Sequence, residues 1–350
     1  MPYTLPEKLT TLTPYEPDTS AYPVRMDANE SFITPPPDLR ARVNAAMAAV
    51  ALNRYPDPAA TELRTAFADL HGLKLRHVAA GNGSDELISV IMSAFLCRGD
   101  RLVTLEPDFS MYGFYAHLCE CENLVYQKPD TLAIDVDEVI RLTRESDAKM
   151  LIFSNPCNPT SQGLPREEVR RLIGAVEALV ILDEAYMDFW DQSLIDEVTG
   201  MDNCILLRTC SKMMGLAALR LGFAVAHEHL TRCVMAAKSP YNINAISAAA
   251  GAAVLRERDY LADCADRLVK SAKWLYNELI ALKVPDFYVF VPCTNFCLIR
   301  TARAPALFGA LKERGILVRQ IDNHLRITAG NETENRALIQ ALTDIIKEVE

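Results

Sequence analysis

Short apolar runs alternate with amphipathic helical patterns from about residue 60 to residue 240 of this chain. The apolar runs predict β-strands, and the segments between them repeat apolar residues at helical spacing. Strands that alternate with helices are joined by right-handed crossovers, which build a mostly parallel sheet, so the sequence predicts an α/β fold. The predicted strands are Arg101–Leu105, Met150–Phe153, Leu179–Leu182, Cys204–Leu207 and Phe223–Ala226, and the predicted helices are Thr61–His71, Asp85–Leu96, Ser110–Cys119 and Arg166–Glu177.

The pattern changes after Ser239-Pro240, where long helices and a few short strands predict a second, α+β domain. The first 37 residues are rich in Pro, Thr and Tyr and lack periodicity, which indicates an extended arm. We expect an arm over residues 1–40 beside the second domain, a large domain over 41–240 and a small domain over 241–350. The predicted elements of the small domain are helices at Ile243–Leu255, Asp259–Leu282, 305–314 and 333–348 and strands at Tyr288–Phe290, Phe296–Ile299, Ile316–Val318 and Leu325–Thr328.

Charge and cysteine usage exclude several classes of protein. With 36 Lys plus Arg against 46 Asp plus Glu, the net charge of −10 argues against a nucleic-acid-coating protein or a polybasic membrane anchor. The N-terminus has no signal-peptide pattern, and no stretch approaches the roughly 20 apolar residues of a membrane span. The ten cysteines lack zinc-site spacing, so we expect reduced thiols in a cytoplasmic protein and no bound metal.

Four short motifs lie at strand-to-helix junctions, where ligands of open α/β sheets bind. The first is Gly81–Glu86 (Gly-Asn-Gly-Ser-Asp-Glu), which opens a helix. Two glycines let the backbone approach an anion, and the free N–H groups of the first helical turn favour a phosphate. The motif lacks the third glycine of dinucleotide-binding loops, which disfavours a nicotinamide dehydrogenase. A plain helix cap is the alternative interpretation.

The second motif, Asn155–Thr160, follows a predicted strand and contains two Asn-Pro pairs. Proline excludes the α region for the residue before it, so the motif forms a rigid turn that fixes the amide of Asn158 as a directional donor. A purely structural turn is the alternative.

The third motif places Asp183 at the end of an apolar strand, with Tyr186 three residues later. A buried carboxylate is costly unless it meets a cation, and the Tyr186 hydroxyl can reach the same ligand. The alternative is an aspartate that caps the next segment.

The fourth motif, Thr209–Arg220, surrounds Lys212 with small, apolar and hydroxyl residues. A lysine in such surroundings can act as an amine nucleophile, and Ser211 and Arg220 can hold a phosphate. Solvated basic residues are the alternative.

Taken together, a phosphate cradle, an amine nucleophile, a buried carboxylate and an amide with a phenol match pyridoxal 5′-phosphate. The carboxylate keeps the pyridine nitrogen of that cofactor protonated, which makes the ring withdraw electrons.

Over nearly its whole length, the chain resembles the fold-type I pyridoxal-phosphate aminotransferases, most closely the histidinol-phosphate aminotransferases. This resemblance implies a large domain with a mostly parallel central sheet and a smaller α+β domain. Besides the four motifs, it is carried by Asp27–Glu30, Asn53–Pro58, Pro107–Tyr112, Ser239–Asn244 and Leu325–Thr328.

The resemblance also implies residue roles. Lys212 would bind the cofactor covalently and move the proton, Asp183 would pair with the ring nitrogen, and Tyr186 would complete the catalytic set. Tyr55 would reach the cofactor of a neighbouring protomer, which implies a homodimer with shared active sites. Further cofactor contacts are expected from Ser84, Asp85, Glu86, Phe109, Asn158, Ser211 and Arg220, and substrate contacts from Tyr15, Asn29, Arg319 and Arg326.

The activity implied by the resemblance is transfer of an amino group from histidinol phosphate to 2-oxoglutarate, in histidine biosynthesis. The segment between Arg319 and Arg326 is shorter than in many family members, and Cys157 and Cys210 depart from the usual residues. Aromatic aminotransferases and threonine-phosphate decarboxylases carry similar motifs and remain alternatives. A non-enzymatic regulator with a degenerate aminotransferase domain is disfavoured, because residues before 25 leave no room for a DNA-binding domain.

Overall fold

The structure is a computed structural model that describes residues 3–14, 16 and 18–349. Its helices are α1 (Glu7–Thr10), α2 (Pro37–Ala48), α3 (Thr61–His71), α4 (Ser84–Phe95), α5 (Met111–Leu118), α6 (Val136–Glu145), α7 (Arg166–Ala175), α8 (Glu228–Ala237), α9 (Ala245–Leu255), α10 (Arg258–Ala281), α11 (Ala304–Glu313) and α12 (Glu332–Val349). Its strands are β1 (Val24–Arg25), β2 (Val78–Gly81), β3 (Arg101–Glu106), β4 (Glu122–Gln127), β5 (Met150–Ser154), β6 (Leu179–Asp183), β7 (Cys204–Thr209), β8 (Gly222–Ala226), β9 (Tyr288–Val289), β10 (Phe296–Arg300), β11 (Ile316–Leu317), β12 (Arg319–Ile321) and β13 (His324–Thr328).

A seven-stranded sheet in the order β2-β8-β7-β6-β5-β3-β4 forms the centre of the fold. The run from β7 to β4 is parallel, and β8 is antiparallel to both of its neighbours. The predicted mostly parallel sheet is therefore confirmed. β8 runs the other way because a compact loop, rather than a crossover helix, joins it to β7.

Successive residues of the central strands face two different cores. Val180 and Leu182 of β6 belong to one apolar cluster, whereas Ile181 belongs to the cluster on the opposite face. Every residue of β5 and β7 is buried. Parallel strands covered by helices on both faces read as continuous apolar runs, which explains why the sequence identified them.

Sequence patterns missed β2 and β4 of the same sheet. β2 is built from Val, Ala, Ala and Gly, which lack the bulk and branching that mark a strand. β4 lies at the sheet edge and mixes polar with apolar residues. Helices α1, α2, α6 and α8 were also missed, whereas the eight predicted helices agree with the structure to within two residues at each end.

A second group of strands lies in the C-terminal part of the chain. Four strands form an antiparallel sheet in the order β12-β13-β10-β9, and β1 pairs in parallel with β11. Met26, which follows β1, is buried in the same apolar cluster as this sheet. The N-terminal segment also touches the large sheet's surroundings, since Lys8 Nζ donates to the Leu118 carbonyl at 2.8 Å.

The long helix α10 contributes to both apolar cores. Leu261 and Leu268 lie in the core of the large sheet, and Leu275 and Leu279 lie in the core of the smaller one. Helix α9 packs against α2 and α3 on the large-sheet side. The division into an arm over 1–40 and domains over 41–240 and 241–350 stays a prediction. The core of the large sheet extends past residue 240, since it includes Leu255 and Leu261.

Candidate active site

The Asp27–Asn29 segment contacts side chains from three distant parts of the chain, through two backbone carbonyls and the side chain of Asn29. Lys212 Nζ donates to the Ala28 carbonyl at 3.1 Å. Asn29 Nδ2 donates to the Tyr186 hydroxyl at 2.9 Å, and Arg326 Nη2 donates to the Asp27 carbonyl. Four residues predicted from separate motifs therefore meet at one short segment.

The segment itself is held rigidly, mainly through Asn29. Asn29 is buried and has a left-handed φ of 55°, a conformation that asparagine tolerates better than most residues. Its backbone N–H donates to Thr328 Oγ1 at 2.9 Å, and its carbonyl accepts from Asn295 Nδ2 at 3.1 Å. The backbone of Asn29 is thus held by Thr328 and Asn295, and its side-chain amide nitrogen donates to Tyr186.

Lys212 lies in the loop between β7 and β8, just beyond the carboxyl end of β7. Its side chain is half-buried, and Nζ lies 5.6 Å from the centre of the Tyr186 ring. Tyr186 packs edge-on against Phe296, which closes the apolar side of this space. The half-buried amine therefore lies beside an aromatic ring, a neighbour that the Thr209–Arg220 motif did not indicate.

Asp183 ends β6 and is buried. No salt bridge joins it to another residue that the structure describes. Its Oδ2 accepts from the Tyr112 hydroxyl at 2.8 Å, and its Oδ1 accepts from the Ala185 N–H at 3.0 Å. Burial raises the pKa of Asp183 to about 7, and the two hydrogen bonds offset only part of that effect. A cationic ligand at this carboxylate would lower its pKa again.

Tyr112 is a site residue that sequence reasoning missed. It is fully buried, and burial together with the nearby Asp183 carboxylate raises its pKa, so its hydroxyl stays a donor. Its ring lies edge-on to Phe109 with centroids 5.6 Å apart. The only local signal was its place in the Pro107–Tyr112 motif, and nothing in that motif pointed to a carboxylate 71 residues away.

An anion cradle forms where β8 passes the start of α4. A Cβ on Gly222 would lie 2.4 Å from Ser84 N, so glycine is needed for this close approach. Arg220 Nη1 lies 3.4 Å from Ser211 Oγ, and Arg220 Nη2 pairs with Asp85 at 3.2 Å. The first-turn N–H groups of α4, a hydroxyl and a guanidinium therefore converge, which suits a phosphate.

The Glu86 side chain stabilises the loop of this cradle and does not face the anion site. Its Oε2 accepts from Asn82 N at 2.6 Å and from Asn242 Nδ2 at 2.7 Å. Lys238 Nζ donates to Asn242 Oδ1 at 2.9 Å, which extends the network. The carboxylate closes the loop before α4, and its backbone N–H alone is left to contact an anion.

Phe109 is positioned by a buried polar cluster that the sequence did not reveal. Asp108 accepts from the N–H of Phe109 at 2.8 Å and from the N–H of Ser154 at 3.1 Å. Lys128 Nζ lies 3.8 Å from Asp108 and 3.2 Å from Cys157 Sγ. Burial works against the charge on Lys128, but its two neighbours raise its pKa, so the lysine stays protonated.

Asn158 and Arg326 join the large sheet to the small one. Arg326 Nη1 donates to Asn158 Oδ1 at 2.6 Å, which leaves the amide nitrogen of Asn158 as the donor toward a ligand. Arg326 also lies over the Phe296 ring at 5.6 Å.

The short segment before Arg326 is a tight hairpin. Asp322 has a left-handed φ of 48° and, with Asn323, connects β12 to β13 in a two-residue turn. This register sets Arg319 directly opposite Arg326. Like charges opposite each other across strands repel, so the pair favours an anion nearby. Arg319 is exposed and has no salt bridge to a residue that the structure describes.

Two predicted residues stand apart from this cluster. Tyr55 is 83% exposed and stacks on Tyr241, with centroids 4.7 Å apart. Tyr15 lies outside the described residues.

Comparison with known proteins identifies the family of this chain. The family model for aminotransferase class I and II matches residues 23–342. The chain belongs to this family. A histidinol-phosphate aminotransferase of Clostridium novyi is 35% identical over 334 residues, covering 94% of this chain and 93% of the relative.

Solved structures show the same fold. The histidinol-phosphate aminotransferase of Sinorhizobium meliloti, solved in complex with pyridoxal-5′-phosphate, superposes with a TM-score of 0.90 at 21% identity, covering 99% of this chain and 98% of that one. The L-threonine-O-3-phosphate decarboxylase of Porphyromonas gingivalis superposes with a TM-score of 0.78 at 22% identity, covering 93% and 99%. At these identities the likeness establishes the aminotransferase fold. None of the helices in the described ranges is long and apolar enough to cross a membrane.

The raised pKa of Asp183 predicts a cost in stability for the cofactor-free protein. Because its pKa in the folded state, about 7, exceeds the ordinary value of 3.8, the folded state binds more protons than the unfolded state between these values. The free energy of unfolding therefore falls as pH rises from about 4 to 7, by about 4 kcal/mol in all. Asp183→Asn should remove this dependence, so its stability gain over wild type should widen by about 2–3 kcal/mol from pH 5 to pH 8.

Denaturant unfolding at the two pH values measures this difference. Asp69→Asn, a change at an exposed aspartate of α3, is the matched control and should leave the pH dependence as it is in wild type. Parallel pH profiles for Asp183→Asn and wild type would contradict the assigned shift.

Proposed function

We propose that this protein is a pyridoxal-phosphate-dependent transaminase that interconverts histidinol phosphate plus 2-oxoglutarate with imidazole-acetol phosphate plus glutamate, in histidine biosynthesis. The observation that carries the proposal is the Asp27–Asn29 segment, because it holds Lys212, Tyr186 and Arg326 around one space. The names of the relatives support the substrate. All ten cysteines are free of disulfides, which supports a reducing, cytoplasmic location.

The residues present fit pyridoxal 5′-phosphate. When bound, this cofactor supplies an aldehyde that accepts the substrate amine and a pyridinium ring that withdraws electrons from it. Ser211, Arg220 and the first turn of α4, from Ser84 to Glu86, would hold the phosphate. Phe109 would cover the ring, and the Asn158 amide with the Tyr186 hydroxyl would bind the ring oxygen.

Asp183 would hold a proton on the pyridine nitrogen. Among the described residues, the hydrogen-bond partners of this buried carboxylate are a phenol and one N–H. Such a carboxylate favours a cation, and that preference would keep the proton on the ring. Tyr112 keeps the carboxylate oriented by donating to Oδ2. Lys212 Nζ would bind the cofactor covalently and, once released by the substrate, move the proton to and from the substrate's α-carbon.

Arg326 and Arg319 would select anionic substrates. The guanidinium of Arg326 is fixed by Asn158 and the Asp27 carbonyl, so it is preorganised for a carboxylate or phosphate. Arg319 stands opposite it at the more exposed position. A substrate that carries a phosphate and a co-substrate that carries carboxylates can use the same pair in turn. Asn29 reaches this space only through Tyr186 and positions that hydroxyl.

An amino-donor screen on the cofactor-loaded enzyme tests the substrate. We expect histidinol phosphate to exceed phenylalanine, tyrosine and threonine phosphate in kcat/KM with 2-oxoglutarate. Arg326→Leu should lower kcat/KM for histidinol phosphate and for glutamate by about 100-fold, the scale of a lost charge-assisted hydrogen bond. The surface arginine variant Arg336→Leu is the control and should retain wild-type kinetics.

Other outcomes of the screen point elsewhere. Release of carbon dioxide from threonine phosphate without consumption of 2-oxoglutarate would identify a decarboxylase, and a preference for tyrosine or phenylalanine would identify an aromatic aminotransferase. Wild-type kinetics for Arg326→Leu would remove the anion-selecting role from this residue.

We also propose a homodimer in which Tyr55 completes the partner's site. Leu52 and Tyr55 are 82% and 83% exposed, and the exposed Tyr241 stacks on Tyr55. Tyr241 precedes Asn242, which is bonded to Glu86 beside the phosphate cradle. An exposed apolar patch this close to the cradle is suited to contact with a second copy of the chain.

Mixing two variants tests whether Tyr55 acts across the interface. In a heterodimer of Tyr55→Phe and Lys212→Ala chains, both changes fall on one site if Tyr55 acts in trans, so the other site should bind the cofactor with wild-type affinity. Cofactor titration of purified heterodimers, with a Tyr3→Phe chain in place of Tyr55→Phe as control, measures this. If the heterodimer shows no site of wild-type affinity, and binds the cofactor as weakly as the Tyr55→Phe homodimer does, then Tyr55 acts within its own protomer.

A further inference from the structure

A cluster of three metal-ligating side chains lies at the opposite end of β7 from Lys212. Asp202, His227 and His229 each place one ligand atom within 4.8 Å of the other two. Asp202 precedes β7 and His227 directly follows β8. Ile205 pairs with Ala226 at this end and Thr209 with Gly222 at the other, so the cluster and the catalytic loop are separated by the length of β7, about 17 Å.

The two histidines converge because of the local backbone. Side chains two residues apart do not face each other on a helix, but they share a face when the first residue is extended. His227 is the N-cap residue of α8, with φ −56° and ψ 147°, and His229 lies in the first turn. Their Nδ1 atoms are 2.7 Å apart.

The distance between these two nitrogens is close to the distance between two nitrogen ligands of one metal ion. At this distance one nitrogen donates a proton and the other accepts it. A dication with metal–nitrogen bonds of about 2.0–2.1 Å in tetrahedral geometry needs the nitrogens about 3.3 Å apart, so a shift of about 0.6 Å suffices. His229 is exposed and can make this adjustment.

Asp202 supplies the third ligand and the negative charge. Its side chain is exposed, and within the described ranges it has no hydrogen bond or salt bridge that would compete. The intervening Glu228 is already paired with Arg76 at 3.1 Å. His77 stands near His227, but its Nδ1 is bonded to the Ala226 carbonyl at 3.0 Å.

We propose that Asp202, His227 and His229 bind one first-row transition dication of the zinc class. Two imidazoles and one carboxylate are a donor set that favours zinc or copper over magnesium or calcium, which prefer oxygen ligands. The positive end of the α8 dipole opposes a cation there, but that opposition is weak at an exposed site, where solvent and salt screen it. The sequence analysis predicted no metal from the cysteine spacing alone, and it did not consider these histidines, which meet Asp202 only in the fold.

The position predicts what the ion does. It would tie the turn before β7 to the start of α8, so it should stabilise the fold and leave the chemistry at Lys212 unchanged. Binding to the folded state raises the melting temperature by mass action.

Zinc titration of the cofactor-loaded enzyme, by calorimetry and by thermal unfolding, tests the proposal. The exposed thiols of Cys97 and Cys233 can also bind zinc. The test therefore compares wild type with ligand variants and follows the one zinc site per chain that is weakened in the variants. His229→Gln and Asp202→Asn should each weaken that site at least about 10-fold, since loss of even an outer-shell partner costs that much. Both variants should keep wild-type turnover, which verifies their folding.

Two controls define the ligand set. His77→Gln should bind zinc as wild type does, and magnesium should neither bind this site nor raise the melting temperature. Equal zinc affinity in wild type and both ligand variants would overturn the proposal. So would a loss of binding in His77→Gln that Asp202→Asn does not share, because the third ligand would then be a different residue.

Discussion

Hydrogen bonds made by the Asp27–Asn29 segment, two through backbone carbonyls and one through the Asn29 side chain, connect the large sheet, the loop after β7 and the small sheet. Lys212 reaches this segment from the loop after β7, Tyr186 from the loop after β6 and Arg326 from β13. The segment follows β1, which pairs with β11 in a separate two-stranded sheet, and the Met26 carbonyl between them accepts from the Thr328 N–H of β13 at 2.9 Å. Because backbone carbonyls bind two of the three side chains, the arrangement depends on chain path more than on the residue types of the segment.

Burial of the Asp183 carboxylate lowers the free energy of unfolding, because the charged form is poorly solvated in the fold. The strand that carries it is covered on both faces, so the carboxylate leaves water, and no cation among the described residues pairs with it. Such a cost is tolerated where the group has a task, and strongly shifted carboxylates gather at functional sites for this reason. The buried Lys128 and Asp108 differ, since they are close to each other and support Phe109 and the Asn158 turn without facing a ligand.

Local rules in the sequence were enough to find residues whose roles follow from their place in one element. Asp183 could be found because a carboxylate ends a buried strand, and Ser84 because glycines precede a helix. Tyr112, Asn295 and Lys128 could not, because each contacts a partner far away in the chain. The opposition of Arg319 and Arg326 also required the hairpin register, which depends on the turn at Asp322. Thus the parallel sheet was predictable and a candidate phosphate cradle could be proposed from the sequence, whereas the contacts that orient the candidate site could not.

The proposed function depends above all on Lys212 being the amine that binds the cofactor. Borohydride reduction of the cofactor-loaded protein, followed by peptide mapping by mass spectrometry, tests it directly. Lys128 and Lys238 are the buried lysines among the described residues that could compete, and both are committed to hydrogen bonds with other parts of the chain. We expect one pyridoxyl group per chain, on Lys212. A label on Lys128, Lys238 or any other lysine would contradict the assignment of the site.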